Sequence, residues 1–212
     1  MKTNKLLSLA LLSIGLYALT SCNNTDKKIA NQMDSMKMGA NDEMDKGMMK
    51  SMQGMKDIKM TGVFDCDFAT LMINHHQGAI LMSEEELKNG KNPKIRELAQ
   101  KIITNQNHEI EKMHTIVNNF KTVVAKDSVD VESRLKTQMT EMMKNMHQVK
   151  LTGNTDQDFV MMMIPHHESA VKMAQEELKY GKHQELIDMA KQMINDQSKE
   201  IDVFKEWLAK QK

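Results

Sequence analysis

One 60-residue unit occurs twice in this chain. With a shift of 91 residues and no gap, 61–120 matches 152–211 at 22 positions. Asp65, Asp67, Phe68, Met72, Ile73, His75, His76, Ala79, Met82 and Glu86 recur, as do Gly90, Ala99, Ile103, Gln106, Glu109 and Ile110. A unit that recurs whole must fold the same way twice. Its copies must also bury each other's apolar faces, because a single supersecondary unit cannot bury its own. The retained set is not only apolar: each copy keeps a paired histidine and a Gln-x-x-Glu, and function is sought there.

Each unit reads as an antiparallel helical hairpin. Apolar residues recur at three- and four-residue steps, and no period-two alternation appears. A long helix is expected from about Asp65 to Asn89, with its copy from Asp156 to Tyr180; the acidic starts suit the helix dipole. Gly90 and Gly181 mark the turns. Asn92-Pro93 is an N-cap followed by proline at the first helical position. Second helices follow to about Phe120 and from His183 to about Lys210. Two such hairpins make an all-α, ferritin-like four-helix bundle.

A methionine-bearing helix precedes each hairpin, and Thr61-Gly62 and Thr152-Gly153 are expected to end these helices with glycine C-caps. Of the 23 methionines, nine fall between Met33 and Met60, in a stretch otherwise rich in Lys, Asp, Asn and Gly. Met44, Met48, Met52 and Met55 share one face. In the copy Leu135, Met139, Met142, Met146 and Val149 form a stripe, and Met48, Met52 and Met55 align with Met139, Met143 and Met146. Met143 and His147, four residues apart, can converge on one ion.

The second helix of each hairpin carries Gln106 and Glu109, or Gln197 and Glu200, in the middle of its apolar stripe. An unpaired carboxylate in that position is costly, so a partner is required. The first helix supplies one. His75 and His166 fall on its stripe, and His76 and His167 lie about 100° further round. When the hairpin is folded about Lys91, His75 and Glu109 differ in height by only about 3 Å at 1.5 Å per residue. Four His, two Gln, two Glu and several Met are thus expected in one core layer. The bland explanation is a set of hydrogen-bonded core histidines. The sharper one makes His75, His76, His166 and His167 metal ligands, with Met72 and Met163 one turn before them as thioether partners. Glu109, Glu200, Gln106 and Gln197 then orient the rings. The methionine helices, through Met48, Met52, Met55, Met139, Met143, Met146 and His147, would collect further ions. Cys66 and His114, level with each other at the open end of the first hairpin, are a weaker soft-metal candidate.

The N-terminus reads as a processing signal. Lys2 and Lys5 precede an apolar run from Leu6 to Leu19, then Leu19-Thr20-Ser21-Cys22, as in a bacterial lipoprotein. The expected organisation is a signal peptide over 1–21, a tether from Cys22, the lipid attachment point, over 22–43, a first repeat over 44–120, a linker over 121–129 and a second repeat over 130–212. This places the protein in the cell envelope, anchored to the membrane. Formal net charge is +0 with no basic stripe, which gives nucleic-acid binding no support.

These residues resemble the domain-of-unknown-function 305 family. Its pattern appears as Asp158-Phe159, Met163-Ile164-Pro165-His166-His167, Ala170, Met173, Ala190, Ile194, Gln197 and Glu200-Ile201. The first copy has Asp67-Phe68, Met72-Ile73-Asn74-His75-His76, Ala79, Met82, Ala99, Ile103, Gln106, Glu109-Ile110 and Met113. Asn74 departs from the pattern where the second copy has Pro165, so a proline bend is expected only in the second copy. Phe204 replaces the methionine equivalent to Met113. The resemblance implies a ferritin-like bundle, with exported members that bind copper in copper tolerance. Thioether with imidazole, outside the cytoplasm, points to copper and to Cu(I) in particular. Sequestration, buffering or delivery to a copper-transfer partner is expected, with no turnover. Two alternatives stay open: a ferritin-like di-iron oxidase and a metal-free structural envelope lipoprotein. The di-iron class wants Glu-x-x-His on two helices, whereas Glu111-x-x-His114 has Asp202 and Lys205 as its counterparts.

Overall fold

The computed structural model describes residues 58–120 and 130–211, and within them the two copies fold alike. The processing signal and Cys22, the tether, Met48, Met52 and Met55 and the linker lie outside these residues. Helix α1 spans Phe64–Asn89 and α2 Pro93–Asn119. Helix α3 spans Val131–His147, α4 Thr155–Tyr180 and α5 Gln184–Ala209. The fold is all-α and consistent with a ferritin-like bundle; no strand occurs among the described residues.

The hairpins α1–α2 and α4–α5 pack through their first helices. Asp65, at the start of α1, accepts backbone N–H bonds from Lys182 and His183 in the α4–α5 turn, both at 2.8 Å. Asp156, at the start of α4, accepts from Lys91 and Asn92 in the α1–α2 turn at 2.9 and 2.8 Å. The start of each first helix thus meets the end of the other, so α1 and α4 run antiparallel about a pseudo-twofold axis. The expected dipole role of these aspartates is supplemented by a tertiary one.

Local signals behave largely as expected. Asn92 caps α2 by accepting from Lys94 N at 3.0 Å and Ile95 N at 3.3 Å. Helix α4 continues through Pro165 to the same length of 26 residues as α1. At the equivalent place in α1, Asn74 Nδ2 donates to Thr70 O at 2.8 Å. Gly153 corrects an expectation. Helix α3 ends at His147, well before it, so Gly153 is not its C-cap. Gly62 and Gly153 adopt φ of 82° and 81° in short loops leading into α1 and α4. Their N–H groups donate to Asp67 Oδ2 and Asp158 Oδ2 at 2.8 and 2.9 Å, so the loop is folded onto the helix that follows it.

Helix α3 lies on α4. Leu135, Met139, Met142 and Met146 form its buried stripe. At the margins Arg134 stacks over the Tyr180 ring at 4.4 Å, and Lys172 pairs with Glu141 at 2.9 Å. Helix α1 packs mainly on α2 and α4, with a minor contact to α3, and most of its residues are buried; α5, α1 and α3 bury half of α4. The core is a single cluster including Phe64, Phe68, Leu71, Met82, Phe159, Met173 and Phe204.

Candidate metal centre

The bundle closes around four wholly buried imidazoles: His75, His76, His166 and His167 are each 0% exposed. The rings of His75 and His166 meet at a centroid distance of 3.8 Å. They are repeat equivalents, so this contact sits on the pseudo-twofold axis. His76 and His167 turn the other way, towards the second helix of their own hairpin. His76 Nε2 lies 2.6 Å from Glu109 Oε2, and His167 Nε2 lies 2.9 Å from Glu200 Oε2. Consecutive residues on a helix point about 100° apart, and in α1 and α4 both directions lead inward. The folding arithmetic about Lys91 therefore gave the correct level. The side chain that meets the carboxylate is His76, however, and not the stripe residue His75, which faces the other hairpin.

The two pairs have different chemistry. Burial drives His75 well below the usual histidine range, with the fields of His76 and His167 acting in the same direction and a backbone approach from His166 opposing. His166 is depressed likewise, by burial first and then by His75, His167 and His76. Both are neutral imidazoles. No ring nitrogen of either has a partner of hydrogen-bonding geometry. In the outer pair a carboxylate only accepts, so Nε2–H of His76 and His167 donates to it, and Nδ1 is the nitrogen left facing the core. Those Nδ1 atoms are also buried and unpartnered. An orphaned buried polar atom is uncommon in a folded core, and this layer holds six such ring nitrogens. A carboxylate that fixes the tautomer and leaves the other nitrogen bare is the usual second contact of a metal-ligating histidine.

Met72 and Met163 are also wholly buried, one turn before the histidines. Gln106 and Gln197 are 3% and 4% exposed, and the Oε1 of each has no partner. Among the described residues no three His, Cys, Asp or Glu side chains converge as a ready-made cage. An ion held here would take a pair of imidazoles completed by sulfur, or would draw the rings together.

Other candidates are placed differently. Met139 and Met146 are 3% exposed and packed in the core, facing α4 and not solvent. Met143 is partly buried against the core, while His147 is exposed, its Nδ1 2.8 Å from Met143 O. Met82, Met113, Met173 and Met193 fill the interior. Cys66 is 1% exposed and is not a free thiol, so it does not form the open soft-metal site imagined with His114.

Sequence reasoning missed a second polar layer at the hairpin turns. Glu86 and Glu177 are 0% exposed beneath Gly90 and Gly181. Any Cβ at either glycine would collide with that carboxyl and with the glutamate's own backbone oxygen at 2.6 Å. Close approach, and not a left-handed φ, is therefore what excludes a side chain here. Burial raises Glu86 to about 8, helped by a hydrogen bond to Asp156 and its charge and opposed by Arg96. Burial raises Glu177 to about 9, with Asp65 adding charge and a hydrogen bond. Deprotonated, these carboxyl oxygens would have no donor; protonated, each donates to the aspartate that holds the neighbouring turn. The available signal was the identity of Asp65, Glu86, Gly90 and Lys91 with their copies.

These features define a class: an all-helical bundle of a doubled hairpin, with a cluster of buried imidazoles about its internal twofold axis. The chain belongs to the DUF305 family, a domain of unknown function, whose profile matches residues 16–117 and 119–208. No curated protein matches it. Among solved structures it is similar to CopM in the Cu(I)-bound form, with 31% identity and a TM-score of 0.53 over 69% of this chain and 96% of that one. CopM in the Ag-bound form, obtained by soaking, gives 30% identity and 0.53 over 69% and 95%. A DUF305 fragment from Deinococcus radiodurans matches in fold at 19% identity, with a TM-score of 0.51 over 69% and 95%. Among the described residues no helix is long and apolar enough to cross a membrane.

Proposed function

We propose that this protein binds copper, with preference for Cu(I), and sequesters, buffers or delivers it in the bacterial cell envelope. The observation that carries this reading is the set of buried ring nitrogens without hydrogen-bond partners on His75, His166, His76 and His167. His75 and His166 supply ligands from the axis, and Nδ1 of His76 and His167 supplies the others. Met72 and Met163 bring the soft thioethers that favour Cu(I). Glu109 and Glu200 hold the outer rings in the ligating tautomer. The similarity to CopM, solved with Cu(I) and with Ag, supports the same choice of metal. The methionine helices are secondary collectors. Since Met139 and Met146 pack in the core, Met143 with His147 is the most accessible pair there.

The di-iron alternative is disfavoured. The inner carboxylates Glu109 and Glu200 are each engaged by an imidazole, and Glu111 lies on the outer, exposed face of α2. The chain is read as a lipoprotein attached through Cys22, with no catalytic turnover. Because the chain has two cysteines, a thioether at Cys22 excludes a disulfide between Cys22 and Cys66, and the mass of the mature N-terminus tells the two apart. Cys22→Ala is expected to move the protein to the soluble fraction; retention in the membrane refutes the anchor.

The metal reading is tested by Cu(I) competition titration of wild type against a variant with all four histidines changed to Ala. A His75→Leu/His166→Leu variant keeps the apolar packing and guards against misfolding. Loss of tight copper in both supports the site. Unchanged stoichiometry and affinity in the folded leucine variant overturn it, and stoichiometric iron with oxidase activity would favour the di-iron alternative.

A further inference from the structure

The four imidazoles have no exposed surface, so an ion can reach them only past a side chain that moves. Helices α2 and α5 flank the α1/α4 pair and leave between them a groove of about 950 Å³. Glu109 and Glu200 line this groove and also touch His76 and His167. They form the partition between the groove and the rings. The Glu109 side chain is 17% exposed and that of Glu200 7%.

The groove has a marked charge. Carboxylates line it at Glu109, Glu111, Glu185, Asp188, Asp196 and Glu200, against Lys112 and His108. Lys191 pairs with Asp188 at 2.8 Å, and Lys101 approaches Glu200 at 3.8 Å, so the negative field is reduced but not cancelled. An acidic wall alone is an ordinary solvated surface. Here a second feature accompanies it: Gln106 and Gln197 also line the groove, and their buried Oε1 atoms have no partner. Oxygen acceptors without donors, beside carboxylates, give a soft cation a weak, transient hold that the imidazole and thioether donors within outcompete.

We propose that the α2/α5 groove is the loading face of the protein, where a copper ion is taken from water by carboxylate and amide oxygens and passed to the buried imidazoles as Glu109 or Glu200 swings aside. This rests on the copper reading and adds a route to it. The transfer is a ligand exchange: no covalent bond breaks, and His76 and His167 keep their Nε2 protons while Nδ1 takes the metal. The more exposed Glu109 opens first. Acidic clefts of this kind raise cation association rates by about 10- to 1000-fold, and the gain falls with ionic strength.

The test uses the full-length protein and Ag(I) as a redox-inert probe. Loading is followed by rapid mixing and chelator quench, and affinity by competition. Glu111→Gln/Asp196→Asn removes one charge from each groove wall without touching an imidazole. Asp130→Asn/Glu141→Gln removes two charges, at the N-cap of α3 and along it, as a control. The groove variant is expected to load about three- to tenfold more slowly at low salt, with the difference vanishing at high salt and the affinity unchanged. The control is expected to load like wild type. An unchanged loading rate, an equal slowing in the control, or a loss of affinity matching the loss of rate would each overturn the proposal. Absence of Ag(I) and Cu(I) binding in the wild type would remove the copper reading itself, a separate outcome.

Discussion

Glu177→Gln is expected to strip the protein of most of its instability at alkaline pH. Glu177 is held protonated in the fold, raised to about 9 by burial and then by the adjacent Asp65. In the unfolded chain it ionises near the ordinary value of 4.5. The folded state therefore binds a proton that the unfolded state has lost, and stability must fall as pH rises between those values. The contribution is complete below about 4.5 and gone above about 9. At about 1.4 kcal/mol per pH unit, a displacement of this size has a ceiling of about 6 kcal/mol for a carboxyl sealed from water. The turn carrying Gly181 lies at the surface, and local opening would rehydrate the carboxylate, so roughly 2–3 kcal/mol is expected to be realised. Glu86 adds a smaller share, because it rises only to about 8 against the opposing charge of Arg96. Glutamine keeps the shape and the donor towards Asp65 but cannot ionise. Thermal melts of apo protein at pH 5.5 and pH 8.5 should show a lower wild-type Tm at the higher pH, by about 2–4 °C per kcal/mol for a chain of this size. E177Q should lose more than half of that difference, and E86Q/E177Q nearly all of it. A pH-independent wild-type Tm, or an undiminished slope in the double variant, would refute the shared-proton arrangement.

Three further outcomes are expected. On the acid side the sign reverses: His75 and His166 are neutral in the fold, so their contribution is present above 6.5 and lost as pH falls through it; His75→Leu/His166→Leu should flatten the acid limb of an apo stability profile between pH 6.5 and 4.5, and an unaltered limb would show the rings are not the cause. Gly181→Ala, at an ordinary φ of −64°, should cost roughly 1–3 kcal/mol by denaturant melt purely from overpacking against Glu177, and a neutral result would mean the turn is looser than described. Glu200→Ala should weaken Cu(I) affinity about 10- to 100-fold by releasing the His167 tautomer, with Glu200→Gln retaining more of it, and equal affinities in a competition titration would deny the carboxylate any orienting role.

The sequence alone determined the architecture and the level of the site. A gapless repeat demands two like halves. Helical periodicity, Asn92-Pro93 and the turn glycines define the hairpins, and the fixed rise of a helix brings the His pair and the Gln-x-x-Glu to one height. These are local or one-dimensional constraints, and counting along the chain captures them. What lay beyond them was decided by packing in three dimensions. Which histidine meets the carboxylate depends on α1 lying between α2 and α4, so that His76 faces one and His75 the other. The role of Asp65 and Asp156 depends on the antiparallel docking of the hairpins, which joins residues 117 and 65 positions apart. Glu86 and Glu177, on the expected apolar stripe, gave no hint in the sequence of a shared proton, because the aspartates that share it come from the other hairpin. Met139 and Met146 looked like free soft donors until α4 covered them. The acidic groove has no sequence signature either, since its walls come from α2 and α5 and become one surface only when the two hairpins close on the same axis.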